Sequence, residues 1–189
     1  MPTTITTEVY TLAELVERGD ERAVERALEW MGDAFESDAH MNVIDALKDA
    51  LGVLPGMRVA EWDAYRHTLT LEGSLRFDAV RDAEEGHPLQ GLTLTPARTG
   101  WVGIDYHTDT ARDYGGDVWL FLTDEAGFGW WDDTYSDALD EVKEWLREIE
   151  ARLSILMREE YDYCTSREYL LECAEANGYT FTADGKRFG

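Results

Sequence analysis

The sequence has few positively charged residues and very few lysines. Its 189 residues include 17 Lys and Arg against 40 Asp and Glu, which gives a formal net charge of −23. The lysines are Lys48, Lys143 and Lys186. Binding to DNA, RNA or an anionic membrane depends on neutralising phosphates with Lys and Arg. The composition therefore argues against direct binding to nucleic acids or membranes.

Cysteines and long apolar runs are also scarce. Cys164 and Cys173 form no CxxC pair and have no neighbouring histidine, so we expect two small core residues rather than a redox or metal site. The longest apolar run, Val118 to Leu122, is too short to span a membrane. The N-terminal MPTTITTEVY lacks a basic region followed by an apolar stretch, so no secretory signal is expected. We therefore expect a cytoplasmic protein.

The excess of acidic residues has two interpretations. An acidic surface is complementary to the basic groove of a protein that itself binds nucleic acid, which suggests an inhibitor or decoy of such a protein. The other interpretation is habitat, because scarce lysine and a strongly acidic chain suit a GC-rich genome or a salt-adapted organism. The composition alone leaves both interpretations open.

The apolar content is sufficient for a folded core. Hydrophobic residues make up 44% of the chain and aromatic residues 12%. We predict a single α+β domain over residues 1–189, in which helices cover an antiparallel sheet. A helical part spans 1–56 and the sheet spans 57–130. A long helix, a short helix and a terminal β-hairpin follow over 131–189.

The first third of the chain shows helical spacing. Apolar residues recur every three or four positions from Thr11 to Phe35, and Gly19-Asp20 predicts a break into two helices with Asp20 as the second N-cap. A further helix is predicted from Met41 to Leu51. From residue 57 the period changes to strict alternation, which predicts strands over 57–77, Leu92–Leu94, Trp101–His107 and Asp117–Thr123.

The longest predicted helix runs from Ser136 to Tyr163. Its apolar stripe consists of Leu139, Val142, Leu146, Ile149, Leu153 and Leu156. We expect this stripe to pack on the sheet, and a homodimer through the same stripe is the alternative. Thr165 or Ser166 is the expected N-cap of a last helix that ends at Asn177-Gly178. Asp184-Gly185 then predicts a hairpin turn.

The two ends of the chain contain motifs that are more specific than a helix or strand pattern. The segment REEYDYCTSREYLLECAEANGYTFTADGKRF, from Arg158 to Phe188, has a Thr-Ser cap and an Ala-Asn-Gly-Tyr-x-Phe-Thr-x-Asp-Gly order. With these residues it resembles the closing segment of a family of uncharacterised bacteriophage and prophage accessory proteins. The N-terminal VYTLAELVERGDERAVERALEWM is similar to its opening Tyr-x-x-x-Glu-Leu helix. The glycine turn that the family often shows in its middle is not preserved at Thr68 to Gly73.

The resemblance implies an origin in a mobile element and an α+β fold, and it implies no reaction. Acidic phage accessory proteins of this size include inhibitors of host defence, among them anti-CRISPR and anti-restriction proteins, some of which imitate DNA. Together with the charge, the resemblance predicts a protein of the host cytoplasm that binds and inhibits a nucleic-acid-handling defence factor. Neither catalytic residues nor a cofactor are expected.

The candidate partner-binding residues lie on and before the long helix. Spacings of three and four place successive carboxylates on one side of a helix, where they can stand in for a row of phosphates. An ordinary solvated face with ion pairs such as Glu148 with Arg152 is the simpler interpretation. The acidic candidates are Asp132, Asp133, Asp137, Asp140, Glu141, Glu144 and Glu148.

Two adjacent tryptophans precede these acidic residues. Neighbouring residues of a strand point to opposite faces, so Trp130 and Trp131 do not both lie in one core. Aromatic residues are enriched at the energetic centres of protein interfaces. We therefore expect Trp130 or Trp131 to serve as an apolar anchor beside the acidic residues.

A metal-dependent hydrolase is the alternative function. Asp105, His107 and Asp109 alternate along a predicted strand, so their side chains share one face, and His67 on an earlier strand is a fourth candidate ligand. Such a set can bind a divalent ion and activate a water. Polar residues on the solvent side of a sheet give the same pattern. No P-loop, GxSxG, HExxH or dinucleotide motif is present.

Overall fold

A computed structural model of the chain describes residues 6–63, 66, 68–76, 79–81, 83–91, 99–105, 117–123 and 133–188. For residues 92–139 the description covers the backbone of the secondary-structure elements alone. Helices and antiparallel sheets make up the described chain, which confirms the predicted α+β class. The chain divides into two compact units, Met1–Val43 with Glu160–Gly189, and Ile44–Glu159. That it forms a single domain stays a prediction.

The described elements follow one another as a short strand, two helices with a 3₁₀ turn, four strands, two more helices and two short strands. In chain order they are β1 (Val9–Thr11), α1 (Leu12–Glu17), α2 (Glu21–Ala50), a 3₁₀ turn (Leu51–Val53), β2 (Met57–Asp63), β3 (Thr68–Arg76), β4 (Thr99–Asp105), β5 (Asp117–Thr123), α3 (Asp133–Cys164), α4 (Arg167–Ala176), β6 (Thr180–Thr182) and β7 (Arg187–Phe188). None of the helices in this described part combines the length and the apolar content needed to cross a membrane.

The first unit contains a three-stranded antiparallel sheet in the order β1-β6-β7. The hairpin of β6 and β7 was predicted, whereas β1 was not, because three residues in a polar leader carry no strand pattern. Tyr10 of β1 lies opposite Phe181 of β6. Phe181 is fully buried in a core built by β6, α1, α2 and α4, with Leu12, Leu15, Val24, Met31 and Leu170 as its larger members.

The break between the first two helices is confirmed. The Thr11 hydroxyl accepts a hydrogen bond from the Glu14 backbone N–H, and the Glu14 carboxylate accepts one from the Thr11 N–H, so α1 begins with a capping box. The Asp20 carboxylate accepts a hydrogen bond from the Ala23 N–H at 3.3 Å, as predicted for the N-cap of α2.

A separate helix beginning at Met41 is not observed, and that prediction is wrong. The predicted segment coincides with the last third of α2, which continues without interruption from Glu21 to Ala50. Residues 36–40 contain neither glycine nor proline, and the buried stripe continues through Met31, Ala39 and Val43. Nothing in this stretch therefore stops the helix.

The second unit contains a four-stranded antiparallel sheet in the order β2-β3-β4-β5. The alternation that predicted β3 is visible in its burial, because Leu69, Leu71 and Leu75 are buried. The strand predicted at Asp117–Thr123 has these bounds in the structure, and the one predicted at Trp101–His107 appears as Thr99–Asp105. The predicted strand Leu92–Leu94 lies outside the described residues.

Helix α3 confirms the predicted long helix and most of its stripe. Val142, Leu146, Ile149 and Leu153 are buried, and Leu139 lies outside the described side chains. The predicted stripe continues with Leu156, but Leu156 is half-buried and its neighbour Met157 is the fully buried residue. A 3.6-residue period drifts away from a strict heptad repeat, so the buried side moves one residue along the chain.

The C-terminal segment agrees with its prediction in detail. The Ser166 hydroxyl accepts a hydrogen bond from the Tyr169 N–H at 3.2 Å, so Ser166, and not Thr165, is the N-cap of α4. The helix ends at Ala176 with Asn177 as its C-cap, and Gly178 has a φ of +63°. Gly185 has a φ of +83° at the hairpin turn.

Candidate protein-binding surface

Four acidic candidates of α3 form what we call the acidic face: Asp140, Glu141, Glu144 and Glu148. All four residues are exposed, and 77% of the Glu144 side-chain surface and 51% of the Glu148 side-chain surface are accessible. The buried stripe through Val142, Leu146 and Ile149 occupies the opposite side of the helix. Residues four apart on a helix are separated by about 6 Å along the axis, so the carboxylates form a regular row.

Two arginines on the same helix partly neutralise the acidic face. Arg152 pairs with Glu148 at 2.8 Å, as the spacing predicts, and Arg147 pairs with Glu144 at 2.9 Å. Arg152 also donates a hydrogen bond to the Gln90 carbonyl oxygen at 2.6 Å. Within the described chain, Asp140 and Glu141 have no ion-pair partner. The N-terminal half of the face therefore has the larger net negative charge.

Glu150 belongs to a different side of α3. It is half-buried, and its carboxylate lies near the backbone of Leu71 in β3. Burial raises the pKa of the Glu150 carboxyl above its ordinary value, although the Leu71 N–H and the Arg147 charge act in the opposite direction. The effect of the Leu71 backbone places the Glu150 carboxylate near β3 of the second unit, and its half-burial separates Glu150 from the acidic face.

The remaining predicted partner-binding residues are only partly described. Trp130, Trp131 and Asp132 lie outside the described residues. Asp133 and Asp137 lie on the first two turns of α3, where the description covers the backbone alone. The tryptophan anchor therefore stays a prediction.

The predicted metal ligands are described at one position only. Asp105 is the last residue of β4 and pairs with Asp117 of β5 in the backbone register. His67, His107 and Asp109 lie outside the described residues. Among the residues whose side chains are described, no group of three His, Cys, Asp or Glu is arranged to hold a metal ion. The metal-dependent hydrolase stays a prediction.

The cysteines lie in the packed part of the first unit. Cys164 is buried, the Asn42 side-chain amide lies 3.4 Å from its sulfur, and burial raises the pKa of its thiol. Cys173 is half-buried and packs against the core around Phe181. A raised pKa disfavours the reactive thiolate. Both residues fit the predicted role of small core hydrophobes.

The arginines of the first two helical segments have partners that differ from those predicted by the sequence spacing. The sequence spacing predicts ion pairs of Arg18, Arg22 and Arg26 within the helical segment. In the structure, the Arg26 guanidinium pairs with Asp184 of the hairpin at 3.0 Å, and the Arg18 guanidinium lies over the Tyr10 ring at 4.2 Å. A residue distant in the chain therefore binds Arg26, and an aromatic ring eight positions away lies under Arg18.

One exposed aromatic residue has no signal in the sequence. Tyr163, in the last turn of α3, is 51% exposed, although a tyrosine near the predicted end of an amphipathic helix gives no indication of its exposure. Its position relative to α4 depends on the turn at Thr165 and Ser166. A contact of this kind is determined by tertiary structure.

None of the protein-family models, curated proteins or solved structures compared with this chain matches it. The resemblance to bacteriophage and prophage accessory proteins therefore stays a prediction. Function has to be inferred from the surface itself.

Proposed function

We propose that this protein is an accessory protein of a phage or other mobile element that inhibits a nucleic-acid-handling host defence factor, of the anti-CRISPR or anti-restriction type. It acts by presenting a DNA-like acidic surface to the basic groove of that factor. The observation that carries the proposal is the acidic face of α3, four exposed carboxylates from Asp140 to Glu148 on the side opposite the buried stripe.

The charge density of this face supports the proposal. Asp140 and Glu148 are separated by eight helical residues, or about 12 Å along the axis. One strand of duplex DNA carries about three to four phosphates over that length. Four carboxylates in the same distance therefore offer a basic groove a similar number of negative charges.

The two ion pairs on the face are compatible with partner binding. Glu144, Arg147 and Arg152 are all at least partly exposed, and exposed ion pairs of this kind contribute about 0–1 kcal/mol to stability. Cations of a partner can replace such weak intramolecular partners. The net charge of −23 adds a long-range attraction for a basic protein and repels competing nucleic acid.

The test is inhibition of DNA cleavage by a panel of purified CRISPR effectors and restriction endonucleases. The variant Asp140→Asn/Glu144→Gln/Glu148→Gln removes three charges from the acidic face. The control Glu25→Gln/Glu29→Gln/Asp33→Asn removes three exposed charges from α2. We expect the α3 variant to inhibit about tenfold more weakly than the wild type, because three exposed charge contacts together contribute about that much to binding. The α2 control should inhibit as strongly as the wild type.

Salt provides a second measurement on the same complex. Screening of exposed charges predicts that inhibition weakens as ionic strength rises from about 0.05 to 0.3 M. Failure to inhibit any nuclease of the panel contradicts the proposal. An equal loss in the α3 and α2 variants also contradicts it, because net charge rather than the acidic face would then be responsible.

A further inference from the structure

Tyr163 and Tyr169 form an aromatic pair at the junction of α3 and α4. Their ring centroids are 5.3 Å apart and the rings are tilted by 59°. Tyr163 is 51% exposed, whereas Tyr169 is half-buried behind it. Both residues belong to the first unit. The pair therefore presents one ring to solvent and supports it with a second ring.

The supporting ring is held from two directions. The Asn42 side-chain amide of α2 donates a hydrogen bond to the Tyr169 hydroxyl oxygen at 3.2 Å. The Tyr169 backbone N–H donates to the Ser166 hydroxyl that caps α4. These bonds restrict the position of Tyr169, which gives the Tyr163 ring a fixed neighbour on one side. A preordered surface loses less conformational entropy on binding.

Three acidic residues lie close enough to Tyr163 for their charges to act on its hydroxyl. Glu172, Glu168 and Glu160 all raise the pKa of the Tyr163 hydroxyl through their charge, with Glu172 having the largest effect, and burial contributes as well. The last turn of α3 contains no basic residue. The C-terminal end of α3 adds partial negative charge and the N-terminal end of α4 beside it adds partial positive charge, so the carboxylates determine the sign of the local charge. The surroundings of Tyr163 therefore favour a cation.

Elsewhere in the same unit, arginines cover the faces of aromatic rings. The Arg18 guanidinium lies 4.2 Å from the Tyr10 ring centroid. The Arg187 guanidinium lies 4.6 Å from the Tyr179 centroid and 5.5 Å from that of Trp30. In the described part of the chain no cation lies over Tyr163. Arg167, close in sequence, is 3.9 Å from the Glu21 carboxylate of α2.

We propose that Tyr163, packed against Tyr169 and within the electrostatic influence of Glu160, Glu168 and Glu172, is a docking site for an arginine side chain in a basic segment of a partner protein. A planar guanidinium stacks on an aromatic ring and can bind a carboxylate through two parallel hydrogen bonds. A lysine ammonium lacks the planar geometry. The site contains none of the residues of the acidic face, so it is a second contact surface and does not depend on the proposed function.

The first experiment is an NMR titration of the full chain, carrying ¹³C-labelled tyrosine, with blocked triarginine at about 0.05 M salt, where exposed charges are weakly screened. Tyr163→Phe assigns the Tyr163 ring signal. We expect the Tyr163 and Tyr169 ring signals to shift and saturate. The Tyr10 and Tyr179 rings, already covered by arginines, should stay in place. Unchanged Tyr163 signals, or equal shifts of all four rings, overturn the proposal.

Variants then separate the ring from the charge. Tyr163→Ala should weaken triarginine binding about two- to fivefold, the size of an exposed cation–ring contact, whereas Tyr163→Phe keeps the ring and the affinity. Glu168→Gln/Glu172→Gln should weaken binding more than Glu25→Gln/Glu29→Gln, which removes the same charge from α2. Far-UV circular dichroism verifies that each variant is folded.

Trilysine tests the chemistry of the cation. Because the site recognises a planar group, we expect trilysine to bind at least about twofold more weakly than triarginine. Equal binding of the two peptides overturns the assignment of an arginine site, since attraction by net charge alone would then account for both. Equal weakening by the α4 and α2 charge variants has the same consequence.

Discussion

Gly185, in the turn of the C-terminal hairpin, lies directly against the carbonyl oxygen of Ala23 in the first turn of α2. A Cβ atom on Gly185 would overlap this oxygen, and the φ of +83° is unfavourable for every residue with a side chain. The ion pair of Arg26 with Asp184 lies beside this contact. The hairpin therefore contacts α2 through a close backbone approach that requires glycine at position 185.

Gly185→Ala should lower the free energy of unfolding by about 2–4 kcal/mol, since it adds a steric overlap to an unfavourable backbone conformation. Gly178→Ala is the matched control, because Gly178 also has a positive φ, +63°, but has nothing within 4 Å of the position of a Cβ. That control should cost about 1 kcal/mol. Urea unfolding measures both, and equal losses would contradict the close contact.

Ser166→Ala should cost about 1 kcal/mol, because it removes the hydroxyl that accepts the Tyr169 N–H at the start of α4. Thr165→Ala is the control, since the Thr165 hydroxyl donates to the Tyr161 carbonyl oxygen and caps no helix start. It should cost less than about 0.5 kcal/mol. Thermal unfolding distinguishes the two variants. A larger loss of stability for Thr165→Ala than for Ser166→Ala would contradict the assignment of Ser166 as the N-cap.

Met157→Ala should destabilise the chain by about 2–5 kcal/mol, because Met157 is fully buried and its truncation leaves a cavity. Ile155→Ala, at a position that is 48% exposed, should change stability by less than about 1 kcal/mol. Leu156→Ala should fall between them. If Leu156→Ala proves more damaging than Met157→Ala, the buried side of α3 follows the strict heptad stripe instead.

Glu150→Gln should stabilise the chain near neutral pH. Since the pKa of the Glu150 carboxyl is raised in the folded chain, the folded state binds more protons between the unfolded and folded pKa values. The contribution of the protonated Glu150 carboxyl to stability is complete below the pKa that this group has in the unfolded chain. It is lost as the pH rises through the pKa that the group has in the folded chain. The stability advantage of Glu150→Gln should therefore grow as the pH rises from about 4 to 7.

Urea unfolding at several pH values measures this advantage. The exposed Glu141→Gln is the control, because it removes the same charge from the solvated side of α3. An advantage of Glu150→Gln that is constant with pH would show that the buried carboxyl is not its source.

The wild type should be folded at about 0.15 M salt, with stability that rises on addition of salt, because screening reduces repulsion among the acidic residues. Circular dichroism and urea unfolding over a series of NaCl concentrations measure this. A chain that folds only at molar salt would instead favour the interpretation of the charge as an adaptation to habitat.

Much of the secondary structure was predictable because it depends on neighbours along the chain. The break at Gly19-Asp20 and the cap at Ser166 follow from residue types within one turn. The pair of Glu148 and Arg152 follows from a spacing of four. The prediction of a separate helix at Met41 failed because no residue there interrupts α2.

The sequence by itself therefore determined the α+β class, most of the helices and strands, the acidic row on α3 and the hairpin turn. Only the tertiary structure decided that β1 pairs with β6, that Arg26 binds Asp184, and that Tyr163 remains exposed against an ordered Tyr169. The physical reason is sequence distance. Helical and strand periodicity arise from residues a few positions apart, whereas these contacts depend on how distant elements pack.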